Sequence, residues 1–157
     1  MRTNVATRRP AVAKKASGIQ YAALPYRVAG GRVQVLLVTS RRTRRWIVPK
    51  GWPVESMPAS ACAALEALEE AGVKGEVQKT PIGHYRYVKH HKNRASEPCK
   101  VEVYALKVTE QRKSWAEGDE RERRWYSPAE AAAVVAEPLL QHLILEFEAQ
   151  LLASAAH

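Results

Sequence analysis

Apolar and polar positions change period along the chain, and the changes divide it into elements. Residues 19–29 (IQYAALPYRVA) and 32–40 (RVQVLLVTS) read as two strands around Gly30-Gly31, a pair suited to a tight hairpin. Pro25 predicts an edge position or a bulge for the first strand, because it cannot donate to a ladder. The second is β-branched and apolar almost throughout, as a central strand should be. Further strands are predicted at 75–79, 82–89, 100–109 and 121–126, with Tyr85 and Tyr87 alternating with polar neighbours. Three stretches have helical spacing instead. One follows Pro58 and ends at Gly72. Another opens at Ser127-Pro128-Ala129-Glu130, which has the capping-box spacing with Pro at the first helical position. A last helix runs from Pro138 to about Leu152. Its Leu139, Leu140, Leu143, Ile144, Phe147 and Leu151 recur on one face and predict core positions. Strands and helices in this mixed order predict an α/β fold with a sheet between helices.

The stretch from Gly51 to Val73, GWPVESMPASACAALEALEEAGV, concentrates the candidate chemistry. Ala, Leu and Glu make its second half a strong helix former. At about 100° per residue, Leu65, Leu68, Ala61 and Ala64 share one face. Glu66, Glu69 and Glu70 share another, being spaced i, i+3 and i+4. Three clustered carboxylates repel and call for a compensating cation, and hard oxygen ligands suit Mg²⁺ or Mn²⁺. A solvated acidic face is the plainer alternative.

The same residues resemble the Nudix box, G-x5-E-x7-R-E-U-x-E-E-x-G-U, where U is a bulky aliphatic. Gly51, Glu66, Glu69, Glu70, Gly72 and Val73 match it, and Ala67 fills a U position with a smaller side chain. Met57 stands where the family has Glu, and Leu65 where it has Arg. The resemblance extends from about Ile19 to Phe147. WIVPKG and RRWYSPAEA, on either side of the box, resemble the diphosphoinositol-polyphosphate and dinucleoside-polyphosphate branch. The resemblance implies a Nudix-type α/β/α sandwich over residues 18–153, with residues 1–17 as a basic tail. It implies hydrolysis of a phosphoanhydride with Mg²⁺ or Mn²⁺, and the Gly51 carbonyl as a metal ligand beside Glu66 and Glu70. Glu69 would ligate a second ion or accept a proton from water. Arg41, just after the second strand, would contact phosphate. The family arginine at position 65 holds the glutamates by ion pairing, which Leu65 cannot do. Losing such support commonly costs 10–100-fold in metal affinity or activity. Glu55 is the nearest replacement for the carboxylate missing at Met57, displaced in register.

Charge sharpens this picture. The chain of 157 residues has a net charge of +9, unevenly spread. Residues 1–17 carry five Lys or Arg and no acid, whereas residues 127–157 carry four Glu and no Lys or Arg. A basic middle wants an anionic partner: polyphosphate, nucleotide or nucleic acid. Arg41, Arg42, Arg44 and Arg45 crowd one turn, and guanidinium forks suit phosphate oxygens. Lys50 offers a point charge beside the loop glycine. Arg121 is a further candidate to hold phosphate. Residues 90–98 are a polar loop that could close over phosphate, with Arg86 and Lys89 before it and Arg94 within it as candidate contacts. Its histidines lack a zinc spacing. Trp46 reads as a core residue before a base-stacking platform.

Composition limits the rest. No run of eighteen apolar residues predicts a membrane-spanning helix. Two cysteines make no disulfide framework, so a cytoplasmic location is expected. Cys62 is expected to pack in the helix and Cys99 to be exposed. The acid-free tail bears only a faint likeness to a transit peptide. Three readings follow: a pyrophosphohydrolase acting on a highly phosphorylated small molecule, a degenerate domain that binds such a ligand with weak turnover, and a nucleic-acid-binding module.

Overall fold

The computed structural model describes residues 18–93 and 95–155. The basic tail and Arg94 lie outside them. Eight strands share one mixed sheet: β1 (Ile19–Ala29), β2 (Arg32–Thr39), β3 (Trp46–Ile47), β4 (Lys50–Gly51), β5 (Val73–Val77), β6 (Gly83–Lys89), β7 (Glu97–Gln111) and β8 (Arg123–Tyr126). Helix α1 (Ala59–Glu66) continues into a wider π-type turn, Ala67–Ala71. Helices α2 (Pro128–Val134) and α3 (Pro138–Ala155) follow β8.

Strand alternation assigns the two faces of the sheet. Ala22, Leu24 and Tyr26 of β1, Val35 and Leu37 of β2, and Val101, Val103 and Ala105 of β7 share one core with α2 and α3. Their neighbours Ala23, Leu36, Val38, Tyr104 and Leu106 form a second core with α1. Because successive side chains point to opposite faces, both faces of the central strands must be apolar, and both are covered. The result is the α/β/α sandwich.

β1 and β7 run parallel at the centre, from Ile19↔Lys100 to Tyr26↔Lys107. This corrects the expectation for Pro25: β1 is a central strand. On its other side β1 pairs with β4 at Tyr21 and Ala22, then with β2 from Tyr26 onward. Pro25 occupies the gap where one partner gives way to the other, so its missing N–H deletes no ladder bond. The Gly30-Gly31 turn, with φ of 59° and 76°, joins β1 to β2 as a two-residue hairpin. Ser127 and Glu130 form the reciprocal capping box at α2.

Three packing expectations change. Helix α1 meets the sheet through Ala63, Ala67 and Ala71, all fully buried, whereas Leu65 and Leu68 are half-buried on its outer side. Small side chains let the helix axis approach the sheet, so its largest apolar residues face away and lie instead beside Trp115. In α3, Leu140, Ile144 and Phe147 are buried but Leu139 is 50% exposed, since it begins the helix beyond the sheet-covered stripe. Cys99 is buried on β7, opposite Tyr87 of β6.

Strand β5 meets β7 through a register shift between Lys74 and Gly75. A Cβ at Gly75 would overlap the Lys107 carbonyl and stand 2.9 Å from Val108 Cα. Backbone cannot yield as a flexible side chain does. Gly75→Ala is therefore expected to destabilise the protein by about 1–3 kcal/mol, seen as a lower urea midpoint with unchanged slope.

Candidate functional site

Strand β4 and helix α1 bring the box residues together. Pro49 and Gly51 border a short loop whose chain returns over β1, the Ala23 N–H donating to Pro49 O at 3.0 Å. The loop is pinned on the helix: Cys62 Sγ accepts from the Val54 N–H at 3.4 Å and donates to Met57 O at 3.7 Å. Met57 thus takes part through its backbone. Glu55 is exposed and does not line the cleft beside the helix, so it supplies no replacement carboxylate there.

Glu66 and Glu70 are buried, at 3% and 6% exposure. Glu66 lies against Gly51 so closely that a Cβ there would overlap its carboxylate. Glu70 Oε1 accepts the Lys50 N–H at 3.2 Å. Burial, then the neighbouring Glu66 with its charge and hydrogen bond, pushes the Glu70 carboxyl well above the usual range; Arg121 and Lys50 pull the other way. Burial also lowers the Lys50 ammonium, which Glu70 opposes. Glu69 is half-buried at the rim, where it borders both the cleft and the outer depression beside Leu65. Among the described residues, no three His, Cys, Asp or Glu side chains converge at metal-holding distance. Two buried carboxylates and the Gly51 backbone do come together, and Mg²⁺ commonly takes one or two carboxylates and keeps several waters. The donor set fits such an ion, and so does the Gly51 cradle, which leaves the Glu66 carboxylate room at the backbone.

Above these acids opens a cleft of about 840 Å³. Arg41, Arg42, Arg45, Lys50 and Lys89 line it. Arg41 also pairs with Glu120 at 3.2 Å, an exposed contact of little strength. Arg45 pairs with Glu137 at 3.2 Å. Lys50 Nζ stands 5.0 Å from the centre of the Tyr87 ring. The loop after β6 adds His90, His91 and Lys92 to the wall, and His91 bonds Glu97 at 2.7 Å. Arg86 is exposed on β6 and does not border the cleft, because its side chain alternates away from Tyr87 and Lys89. Trp46 packs edge-on against Tyr126 at 5.4 Å, next to the core, and is not part of the cleft wall.

Arg121 borders the cleft, but its guanidinium is tied into the protein. Its side chain is 7% exposed: Nε donates to Glu117 at 2.6 Å, Nη1 to the Thr39 carbonyl at 3.1 Å, and Nη2 lies 3.5 Å from Glu70. The surrounding segment closes the end of the acidic helix. The four consecutive carbonyls from Glu69 to Gly72 accept, in order, from the Glu117 N–H at 3.0 Å, the Trp115 indole at 2.9 Å, Arg123 Nη1 at 2.9 Å and the Arg112 N–H at 2.8 Å. Helix ends leave such carbonyls without intrahelical partners. Arg123 stacks on Trp115 at 3.8 Å, and Gly72, with φ of 69°, leaves room for both. Sequence reading missed Glu117, Trp115 and Arg123. Residues 115–120 read as a loop and 121–126 as a strand, and nothing in their spacing tells that they fold onto a helix forty-odd residues earlier.

The α/β/α sandwich thus carries paired buried carboxylates beneath a cleft lined by arginine and lysine. The chain belongs to the NUDIX domain family, whose model matches residues 20–147. It is 34% identical over 119 residues to Nudix hydrolase 12, mitochondrial, of Arabidopsis thaliana, covering 74% of this chain and 59% of that protein. It is 34% identical over 105 residues to diphosphoinositol polyphosphate phosphohydrolase 3-beta of Homo sapiens, covering 65% and 60%. The matched part of the chain thus spans about three fifths of these curated relatives. A C. elegans Ap4A hydrolase structure superimposes with a TM-score of 0.63 at 19% identity, over 85% of this chain and 96% of that one, a likeness of fold.

Proposed function

We propose that the protein is a pyrophosphohydrolase that cleaves a phosphoanhydride in a highly phosphorylated small molecule with Mg²⁺ or Mn²⁺. The observation that carries this reading is the convergence of Glu66, Glu70 and the Gly51 backbone directly under a cleft walled by arginine and lysine. Glu66, Glu70 and the Gly51 carbonyl hold the ion. Such an ion neutralises phosphate charge and lowers the pKa of water. Lys50, Arg41, Arg45 and Lys89 hold the phosphates that do not react. Glu69, at the rim, takes a proton or a second ion. The relatives named for diphosphoinositol polyphosphates and the structural neighbour named for Ap4A suggest which substrates to try first. Among the described residues no helix is long and apolar enough to cross a membrane. Some relatives carry mitochondrial names, so cytoplasmic residence rests on cysteine usage alone.

Leu65 favours a second reading, binding with weak turnover, because it leaves the glutamates without a cation from their own helix. Cleavage of diadenosine polyphosphates, diphosphoinositols and nucleoside triphosphates, with Mg²⁺ and with Mn²⁺ and followed by chromatography of the products, separates the two. Metal-dependent cleavage of at least one compound is expected. A silent wild type that Leu65→Arg awakens supports the second reading. Binding to nucleic acid with a steep salt dependence and no metal dependence would support a nucleic-acid module instead.

A further inference from the structure

Two buried acids drawn together need something to hold their carboxyl groups in place. The helix that carries them offers no cation: Leu65 lies in an outer depression with Leu68 and Trp115. Besides Lys50, a buried cation reaches Glu70 from much later in the chain. Arg121 is 51 positions beyond Glu70, and each of its three nitrogens has a different partner, Glu117, Thr39 O and Glu70. The Thr39 carbonyl belongs to central strand β2, so the guanidinium is tied to the sheet. The Glu117 N–H is tied to Glu69 O. Arg121 is therefore locked between the sheet, the segment 112–123 and the acidic helix, and although it borders the cleft it offers little surface to a ligand at 7% side-chain exposure.

We infer that Arg121 is a positioning residue for Glu70, which supplies from the 112–123 segment the support that position 65 lacks. The inference rests on the metal-dependent reading of Glu66 and Glu70 given above. A fork of fixed geometry matters here more than charge. A lysine could satisfy one of the three partners well, not all three. If Arg121 were only a rival cation, its removal would leave Glu70 more available and metal would bind more tightly. If it were a substrate arm, its removal would weaken substrate and leave metal unaffected. Only positioning weakens metal binding when a positive charge is taken away.

The test is Mn²⁺ alone, titrated without substrate and followed by electron paramagnetic resonance, on the wild type, Arg121→Met and Arg121→Lys. Kd for Mn²⁺ is expected to rise about 10–100-fold in Arg121→Met. A smaller rise is expected in Arg121→Lys, which retains the charge and keeps the variant series readable if the methionine form does not fold. In both, kcat falls at subsaturating Mn²⁺ while KM for substrate at saturating metal changes little. An unchanged or lower Kd in the folded variants, or a raised KM with unchanged Kd, overturns the inference. A wild type that binds no Mn²⁺ overturns the reading beneath it as well, and so distinguishes the two failures.

Discussion

Glu70→Gln is expected to remove metal-dependent turnover while making the metal-free protein more stable. The two effects have one cause. The Glu70 carboxyl is held well above the usual carboxylate range, first by burial and then by Glu66 beside it. A raised folded-state pKa means that the fold disfavours the ionised form: stability is greatest below the unfolded pKa and is lost as pH rises through the folded one. At neutral pH the isosteric amide removes that cost and can still accept the Lys50 N–H. It gives up the 3.5 Å approach of Arg121, but Arg121 retains Glu117 and Thr39 O. The melting temperature without metal should rise, by about 2–4 °C for each kcal/mol relieved. Added Mg²⁺ should stabilise the wild type and leave the variant nearly unmoved, since only what binds the native state shifts its stability. Turnover should fall by at least about 100-fold, because even indirect support of a metal is commonly worth 10–100-fold. Melting curves with and without Mg²⁺, beside a rate measurement, check all three. A variant with wild-type turnover would remove Glu70 from the site.

Gly51→Ala is the second large effect. The methyl group would overlap the Glu66 carboxylate, with Oε1 at 2.8 Å. Glu66 belongs to a helix whose alanines already touch the sheet, so the backbone cannot retreat. The carboxylate must rotate away from the position shared with Glu70, or the β4 loop must lift from β1. Destabilisation of about 1–3 kcal/mol is expected from the overlap. The loss of turnover should exceed what that destabilisation explains, because the same movement takes the Glu66 carboxylate away from the Gly51 backbone and from Glu70. Comparing activity at a temperature where both proteins remain folded isolates the second effect.

Both variants act where one carboxylate meets a glycine or another carboxylate. Much of that meeting was legible beforehand. The spacing of Glu66, Glu69 and Glu70 and the stop at Gly72 follow from helix geometry, which is local. So do the Gly30-Gly31 hairpin and the Ser127–Glu130 cap, each made of neighbours in the chain. The nearly unbroken apolar run on β2 foretold a central strand, because such a strand is buried on both faces.

Other features depended on contacts between distant residues. Pro25 looked like an edge signal, yet a change of partner along β1 gives it a place where no N–H is required. Leu65 and Leu68 share an apolar face with Ala61 and Ala64 in the sequence, yet Ala63, Ala67 and Ala71 met the sheet and the leucines stayed half-buried beside Trp115 of a later loop. Arg121 read as a candidate arm for phosphate; it borders the cleft, and only the fold ties it also to Glu70, Glu117 and the Thr39 carbonyl. The sequence by itself determined which residues are strand, helix and turn, and that three acids gather on one helix beside a basic chain. The tertiary structure alone decided which of those acids become buried together, which cation faces them and which glycine makes room. Periodicity carries the first kind of information because it is set within a few residues. The second kind depends on which surfaces press together, and burial, close approach and charge pairing arise only there.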